Sequence, residues 1–253
     1  MGLTQQLIRK PESKVIGFIG GKGRDYLVTQ LANELVRSGK KTVISHFESN
    51  LLPSTGHIVY HDQAKSLLST ISEQIGSNPL LYAGKKLIDN LVQGITPTTA
   101  RKIITLPEVD YLLLIVGPSE KYSIFSRQRI PEIEKMNIID ELVYCFQFDL
   151  MDEPELQDML EDPQEFYKSQ PVPDGETGSI DQNRILEYLT DEKNGLLKIL
   201  QQKWPVTLVL TDIKNLFLEN RAINFSRDLF KHDINNVYLG NLKENLLKSV
   251  QGK

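Results

Sequence analysis

Residues 14–35 constrain this chain more than any other segment. Lys14-Val15-Ile16-Gly17-Phe18-Ile19 reads as a buried strand. Gly20-Gly21-Lys22-Gly23-Arg24 follows as a tight glycine-rich loop. A helix comes next, with Leu27, Leu31 and Leu35 at four-residue spacing and Val28 and Ala32 beside them. Gly39, after Ser38, suits the left-handed position that ends a helix. Thr42-Val43-Ile44-Ser45 is then a second strand. Strand, helix and strand joined by short loops predict a right-handed crossover between parallel strands.

The alternation continues. Helices are expected over 64–75, over 98–106 after Pro97, over 185–201 with a break at Asn194-Gly195, over 216–230 and over 242–250. Strands are expected at 80–83, 110–116, 143–148, 206–210 and 237–239. The run Tyr111-Leu112-Leu113-Leu114-Ile115-Val116 is apolar on both faces, as a buried parallel strand should be. The fold class read from this pattern is α/β, a mostly parallel sheet with helices on both faces in a three-layer sandwich. One domain is expected over 1–253, with an acidic, proline-containing surface excursion at about 149–178 that includes a short helix. In such sheets ligands bind beyond the carboxyl ends of the strands, which points to the loop at 20–25.

A phosphate-binding loop turns successive backbone N–H groups around an anion, with the positive end of a helix behind them. A lysine reaches the outer phosphates and a Ser or Thr hydroxyl holds magnesium. Against the pattern G-x-x-x-x-G-K-[ST], Gly23 takes the second glycine position and Phe18 falls on the first. Arg24 replaces the lysine and Asp25 the hydroxyl residue. Arginine still pairs with phosphate, although its planar fork differs from an ammonium. Asp25 suits the helix dipole but repels a nearby phosphate. The candidate binding residues are therefore Gly20, Gly21, Lys22, Gly23, Arg24 and Asp25, for a nucleotide (ATP, GTP or CTP) or a smaller anion. Magnesium is not expected there.

Two further checks give no hydrolase. The strand at 111–116 runs into Gly117-Pro118 without the carboxylate that would hold magnesium; Asp110 stands at its other end, and Glu120 lies in the following loop. Leu210-Thr211-Asp212-Ile213-Lys214-Asn215 occupies the place of a guanine-reading Asn-Lys-x-Asp segment but has Lys214 near the position of its Asp. No catalytic residue and no metal ligand are assigned. A rearranged hydrolase would have to use Asp25 or Glu120.

The formal net charge of -4 leaves no basic excess for nucleic acid. Cys145 is the only cysteine, so no internal disulfide forms, and its place in Leu142-Val143-Tyr144-Cys145-Phe146 reads as a buried strand position. His57 and His61 are four apart but lie near Pro53 and Gly56, and read as a solvated loop. With no signal-type segment and no span-length apolar run, the expectation is a cytoplasmic protein with no membrane contact.

The chain resembles the selenium-dependent hydroxylase accessory proteins, a selenium-cofactor biosynthesis family. Its members open with a strand, a Gly-x-Gly-Gly-Lys-Thr-Thr loop and a helix rich in Leu and Ala. Ile19-Gly20-Gly21-Lys22-Gly23-Arg24-Asp25-Tyr26-Leu27 is similar to that loop, and residues 35–46 to the helix end and next strand. The family's Glu-Ala-Asp-Gly segment falls on Ile115-Val116-Gly117-Pro118, where both acidic groups are absent. Asn194-Gly195-Leu196 and residues 204–214 resemble later segments. The resemblance implies a phosphate-loop nucleotide-binding (P-loop NTPase-like) fold. It also implies a role in maturing a selenium- or molybdenum-containing hydroxylase, with that enzyme or its maturation machinery as partner. The departures at Arg24, Asp25, Ile115 and Gly117 imply a degenerate phosphate loop and no efficient hydrolysis of nucleotide. The alternative is an interaction or scaffold protein that keeps the fold without binding nucleotide.

Overall fold

The computed structural model describes residues 2–48, 50–51, 56–88, 91–117, 122–152, 160–169, 181–241 and 246–250. The chain divides into two compact units, one from residues 1–19, 25–119 and 136–142, the other from 20–24, 120–135 and 143–253.

The first unit contains, in chain order, α1 (Leu3–Leu7), β1 (Val15–Gly20), α2 (Arg24–Arg37), β2 (Thr42–His46), β3 (Asn50–Leu51), β4 (His57–Tyr60), α3 (Ala64–Gln74), β5 (Leu80–Gly84), β6 (Lys86–Ile88), β7 (Leu91–Gln93), α4 (Pro97–Ile104) and β8 (Tyr111–Ile115). Its sheet is parallel in the order β1-β8-β2-β5-β4. The step from β1 to β2 runs one way along the sheet, and the steps from β4 to β5 and from β5 to β8 run back. Right-handed crossovers therefore put α2 on one face and α3 and α4 on the other. β1, β2 and most of β8 are buried, as their apolar runs require. The segment 57–61 differs from the loop expected there. His57-Ile58-Val59-Tyr60 pairs with β5 because an open parallel edge offers its backbone partners. β3, β7 and β6 form a small antiparallel sheet.

Carboxylates satisfy backbone N–H groups where strands begin. Asp140 Oδ2 accepts from Lys14 and Val15 at 2.8 and 2.9 Å, and Asp110 Oδ2 accepts from Lys41 at 2.8 Å. Glu141, 1% exposed, takes the N–H groups of Arg9 and Lys10 at 2.9–3.0 Å. Glu34 takes those of Leu3 and Thr4. Burial pushes Glu34 up, but these bonds outweigh it and hold the carboxyl below the usual range. Buried His46 is held from both sides. Its Nε2 lies 2.7 Å from the Val92 carbonyl and its Nδ1 3.0 Å from the Tyr82 hydroxyl. A carbonyl only accepts, so Nε2 carries the proton and Nδ1 accepts from Tyr82.

The second unit contains α5 (Ile130–Met136), β9 (Glu141–Gln147), α6 (Pro163–Ser169), α7 (Gln182–Thr190), α8 (Leu196–Lys203), β10 (Val206–Thr211), α9 (Leu216–Lys231), β11 (Val237–Asn241) and β12 (Leu246–Ser249); the ends of α5 and β9 reach into residues 136–142. β9, β10, β11 and β12 are neighbours in that order. β10 and β11 are parallel, β11 and β12 antiparallel. The helix expected over 242–250 is corrected: residues 246–249 are the strand β12, and 242–245 lie outside the described residues. Leu246, Leu247 and Val250 fit a helical spacing, but so short a segment gains more by pairing with the open edge of β11. The α/β class expected from the alternation is what both units display, and the expected parallel pairing runs through the first unit's main sheet and the β10–β11 pair, with β11–β12 antiparallel.

Of the segment 149–178 expected at the surface, 153–159 and 170–178 lie outside the described residues. Residues 160–169 are packed into the second unit, with Phe166 fully buried and Leu160 2% exposed. Glu165 on α6 accepts from Ser126 Oγ at 2.6 Å, Arg127 Nε at 2.5 Å and the Tyr188 hydroxyl at 2.9 Å. The Arg127 guanidinium lies 4.5 Å from the Tyr188 ring centre, and Arg129 pairs with Glu161 at 2.6 Å. Burial raises the Glu165 carboxyl, but the bonds from Arg127, Ser126 and Tyr188 prevail and hold it below its ordinary value. The Tyr188 hydroxyl is pushed far up, first by burial and then by the Glu165 charge.

A group with a lowered folded-state pKa stabilises the fold above its ordinary range, and that stability is lost as pH falls through the lower value. Glu165→Gln is expected to cost about 2 kcal/mol at neutral pH. It should also flatten the loss of stability between about pH 5 and pH 3. Urea midpoints measured across that range check both.

Candidate functional site

β1 ends at Gly20 and α2 begins at Arg24, so only Gly21, Lys22 and Gly23 lie between them. Gly20 and Gly23 have φ of +97° and +93°, the left-handed region that glycine tolerates. The loop lies directly on other parts of the second unit. The Gly21 N–H donates to the Cys145 carbonyl at 2.8 Å. A Cβ on Gly20 would stand 2.1 Å from that carbonyl oxygen, and one on Gly21 would stand 2.2 Å from Ser123 Oγ. Thr211 Oγ1 donates to the Lys22 carbonyl at 2.7 Å. The Arg24 N–H turns back to the Gly21 carbonyl at 3.2 Å. These contacts explain the glycines by close packing, independently of any ligand.

The two cations of the loop face different ways. Arg24 is 1% exposed, with Nη1 3.4 Å from the Gly20 carbonyl. Buried in this way, it does not reach outward as the lysine of a phosphate loop does. Lys22 is the outward cation, its side chain 59% exposed, with Nζ 3.3 Å from Asp212 Oδ2. The backbone N–H groups of Lys22 and Gly23 have no partner among the described residues. Asp25 belongs to the first unit, in the first turn of α2, where its negative charge suits the helix dipole. Its carbonyl accepts from Thr29 Oγ1 at 2.9 Å.

Ile115, Val116 and Gly117 follow one another, buried, at the carboxyl end of β8, and Gly117 has φ +101°. They bring no carboxylate there. Glu120 lies outside the described residues. The carboxylate that does meet the loop is Asp212, just past β10, at φ +60°. The sequence hint was an acidic residue directly after an apolar strand. Its pairing with a lysine so far away in the chain left no local trace.

Farther along the carboxyl ends of β10 and β11 lies a cavity of about 330 Å³, lined by Lys214, Asn215, Glu219, Leu239, Asn241 and Lys248 among others. Lys214 pairs with Asp149, which also accepts from Gln147 Nε2 at 2.9 Å, and Lys248 pairs with Glu219. Asn215 caps α9 by accepting from the Leu218 N–H at 2.9 Å. His57 is exposed at the start of β4, and His61 Nε2 lies 3.0 Å from Thr70 Oγ1. Cys145 is fully buried in β9. Among the described residues no helix is long and apolar enough to cross a membrane.

No protein-family model matches this chain. No curated protein matches it either. Among solved structures it is similar to the signal recognition particle receptor FtsY from Elizabethkingia anophelis. That likeness has 16% identity and a TM-score of 0.36, over 98% of this chain and 67% of that one. At this level of superposition it defines neither a shared site nor a shared chemistry.

Gly20→Ala should destabilise the protein by about 2–4 kcal/mol, because the added Cβ meets a backbone carbonyl at a left-handed φ. Gly39→Ala, also at positive φ but with nothing within 4 Å, should cost only about 1 kcal/mol. Chemical denaturation of the two variants side by side checks the difference.

Proposed function

We propose that this chain is an accessory protein that binds a nucleotide (ATP, GTP or CTP) or a smaller anion beside Lys22 and does not hydrolyse it. One observation carries this reading. Lys22 stands outward, its own backbone N–H and that of Gly23 uncommitted among the described residues, while Arg24 is buried behind it. Donors of that kind bind an anion. A hydroxyl is missing at Asp25 and carboxylates are missing at Ile115 and Gly117, which argues against magnesium-assisted phosphoryl transfer. The resemblance to the selenium-dependent hydroxylase accessory proteins extends the reading. The partner would be a selenium- or molybdenum-containing hydroxylase or its maturation machinery, and the compartment the cytoplasm.

A second reading has its own observation. The Gly21 N–H is already given to Cys145 and Ser123 is packed against the loop, which favours a scaffold that keeps the fold without nucleotide. Titration calorimetry with ATP, GTP and CTP, each with and without magnesium, separates the two. The expected result is weak binding, with Kd of about 1 mM, insensitive to magnesium and lost in Lys22→Ala. Phosphate release should stay at the rate of buffer. No heat and no thermal shift with any of the three would overturn the binding reading in favour of the scaffold.

A further inference from the structure

We propose that Asp212 is a built-in competitor for the anion at Lys22, so that it sets which anions the loop admits. The inference rests on the anion-binding reading above and adds to it the residue that governs the site.

The geometry is asymmetric. Lys22 is 59% exposed, whereas Asp212 is 14% exposed. The carboxylate is therefore the fixed member of the pair and the ammonium the movable one. Asp212 sits at φ +60°, a conformation that non-glycine residues adopt at a cost and that fixes where its side chain starts. Its Oδ2 is shielded from solvent and makes no aligned hydrogen bond among the described residues, yet lies 3.3 Å from Lys22 Nζ. The contact is Coulombic attraction without a well-directed hydrogen bond. The residue before it, Thr211, holds the Lys22 carbonyl through its hydroxyl at 2.7 Å. Two consecutive residues at the end of β10 thus grip one residue of the loop, Thr211 by its backbone and Asp212 by its charge.

An anion that takes the Lys22 ammonium must displace the carboxylate and then stay near its negative charge. A half-exposed ion pair is weak enough to be displaced. Repulsion from the carboxylate left behind lowers the affinity for every anion. A singly charged ion gains too little from one ammonium to offset that repulsion. A polyphosphate gains more, through its several charges and through the N–H groups of Lys22 and Gly23. Asp212 therefore selects multiply charged phosphates and keeps the loop closed to small monoanions.

The test uses the full chain and inorganic tripolyphosphate, followed by calorimetry. Asp212→Asn and Asp212→Gly both remove the charge and both accept a left-handed φ, so a folding failure in one leaves the other. Each should bind tripolyphosphate about tenfold more tightly than the parent. The gain should vanish when Lys22→Ala is added, and Asp212→Glu should bind as weakly as the parent. Both neutral variants should also acquire measurable chloride competition. Equal affinity in parent and neutral variants would overturn the inference and leave the anion-binding reading standing. Weaker binding in the neutral variants would overturn it by making Asp212 a helper of the ligand. No binding by parent or variants would overturn both.

Discussion

The hydrogen bond from the Gly21 N–H to the Cys145 carbonyl is the constraint on which the rest of the loop depends. It draws the backbone so close to β9 that no side chain fits on Gly20, while Ser123 leaves no room for one on Gly21. The chain then has only Lys22 and Gly23 in which to turn before α2 begins. A turn that short leaves no room for a wide ring of N–H groups. It also decides the direction of each cation: Lys22, at the crest, points outward, and Arg24, in the first helical position, points inward. The residue that falls on the phosphate-loop lysine in the sequence pattern is therefore buried, and the outward cation is Lys22.

Carboxylates hold other parts of the fold together, in distinguishable ways. Asp110, Asp140, Glu34 and Glu141 accept backbone N–H groups where a strand or an N-terminal segment would otherwise leave donors unpaired. Glu161 and Glu165 join arginines, a serine and a tyrosine into a network that holds α6 in the second unit. In both groups the negative charge receives directed hydrogen bonds, one at Asp110 and at least two at each of the others, which makes it a fixed part of the fold. Asp212 differs from both. Its Oδ2 has an ammonium within ion-pair distance but no aligned hydrogen bond among the described residues, and its partner is exposed. That incompleteness marks it as exchangeable, where the others are structural.

Much of the fold was legible because burial and periodicity coincide. β1, β8, β9 and β10 are rich in apolar residues and, with the mixed β2, almost entirely buried, and α2, α3 and α9 carry apolar residues on one face. Where a segment is short and its apolar residues fit two periods, context decides. Residues 246–249 became a strand because β11 had an open edge, and 57–60 did so beside β5. Neither edge can be located without knowing the strand order. The surface reading of 149–178 rested on acidic residues and prolines, and composition does not reveal that Glu165 would find Arg127 and Tyr188. In the loop, the residue types were readable and their directions were not. Whether a cation two positions from another points in or out depends on the local turn, and that depends on Cys145 and Ser123, more than a hundred residues along the chain.

A phosphate loop can decay in two physically different ways. It can lose its donors, or it can keep them and spend them inside the protein. The absent hydroxyl at Asp25 and the absent carboxylates at Ile115 and Gly117 belong to the first kind, and they concern magnesium. Under the proposed anion-binding reading, Gly21, Arg24 and Lys22 belong to the second: a carbonyl, a buried position and a carboxylate hold groups that would otherwise be open to an anion. The second kind is graded. The Gly21 bond is buried under the loop and the Arg24 side chain is enclosed, so neither is recovered without unfolding the turn. The Lys22 pair is half-exposed, with its ammonium on the solvent side, and costs little to open. Under that reading, anion affinity at this loop rests on Lys22, and the charge that opposes it is that of Asp212.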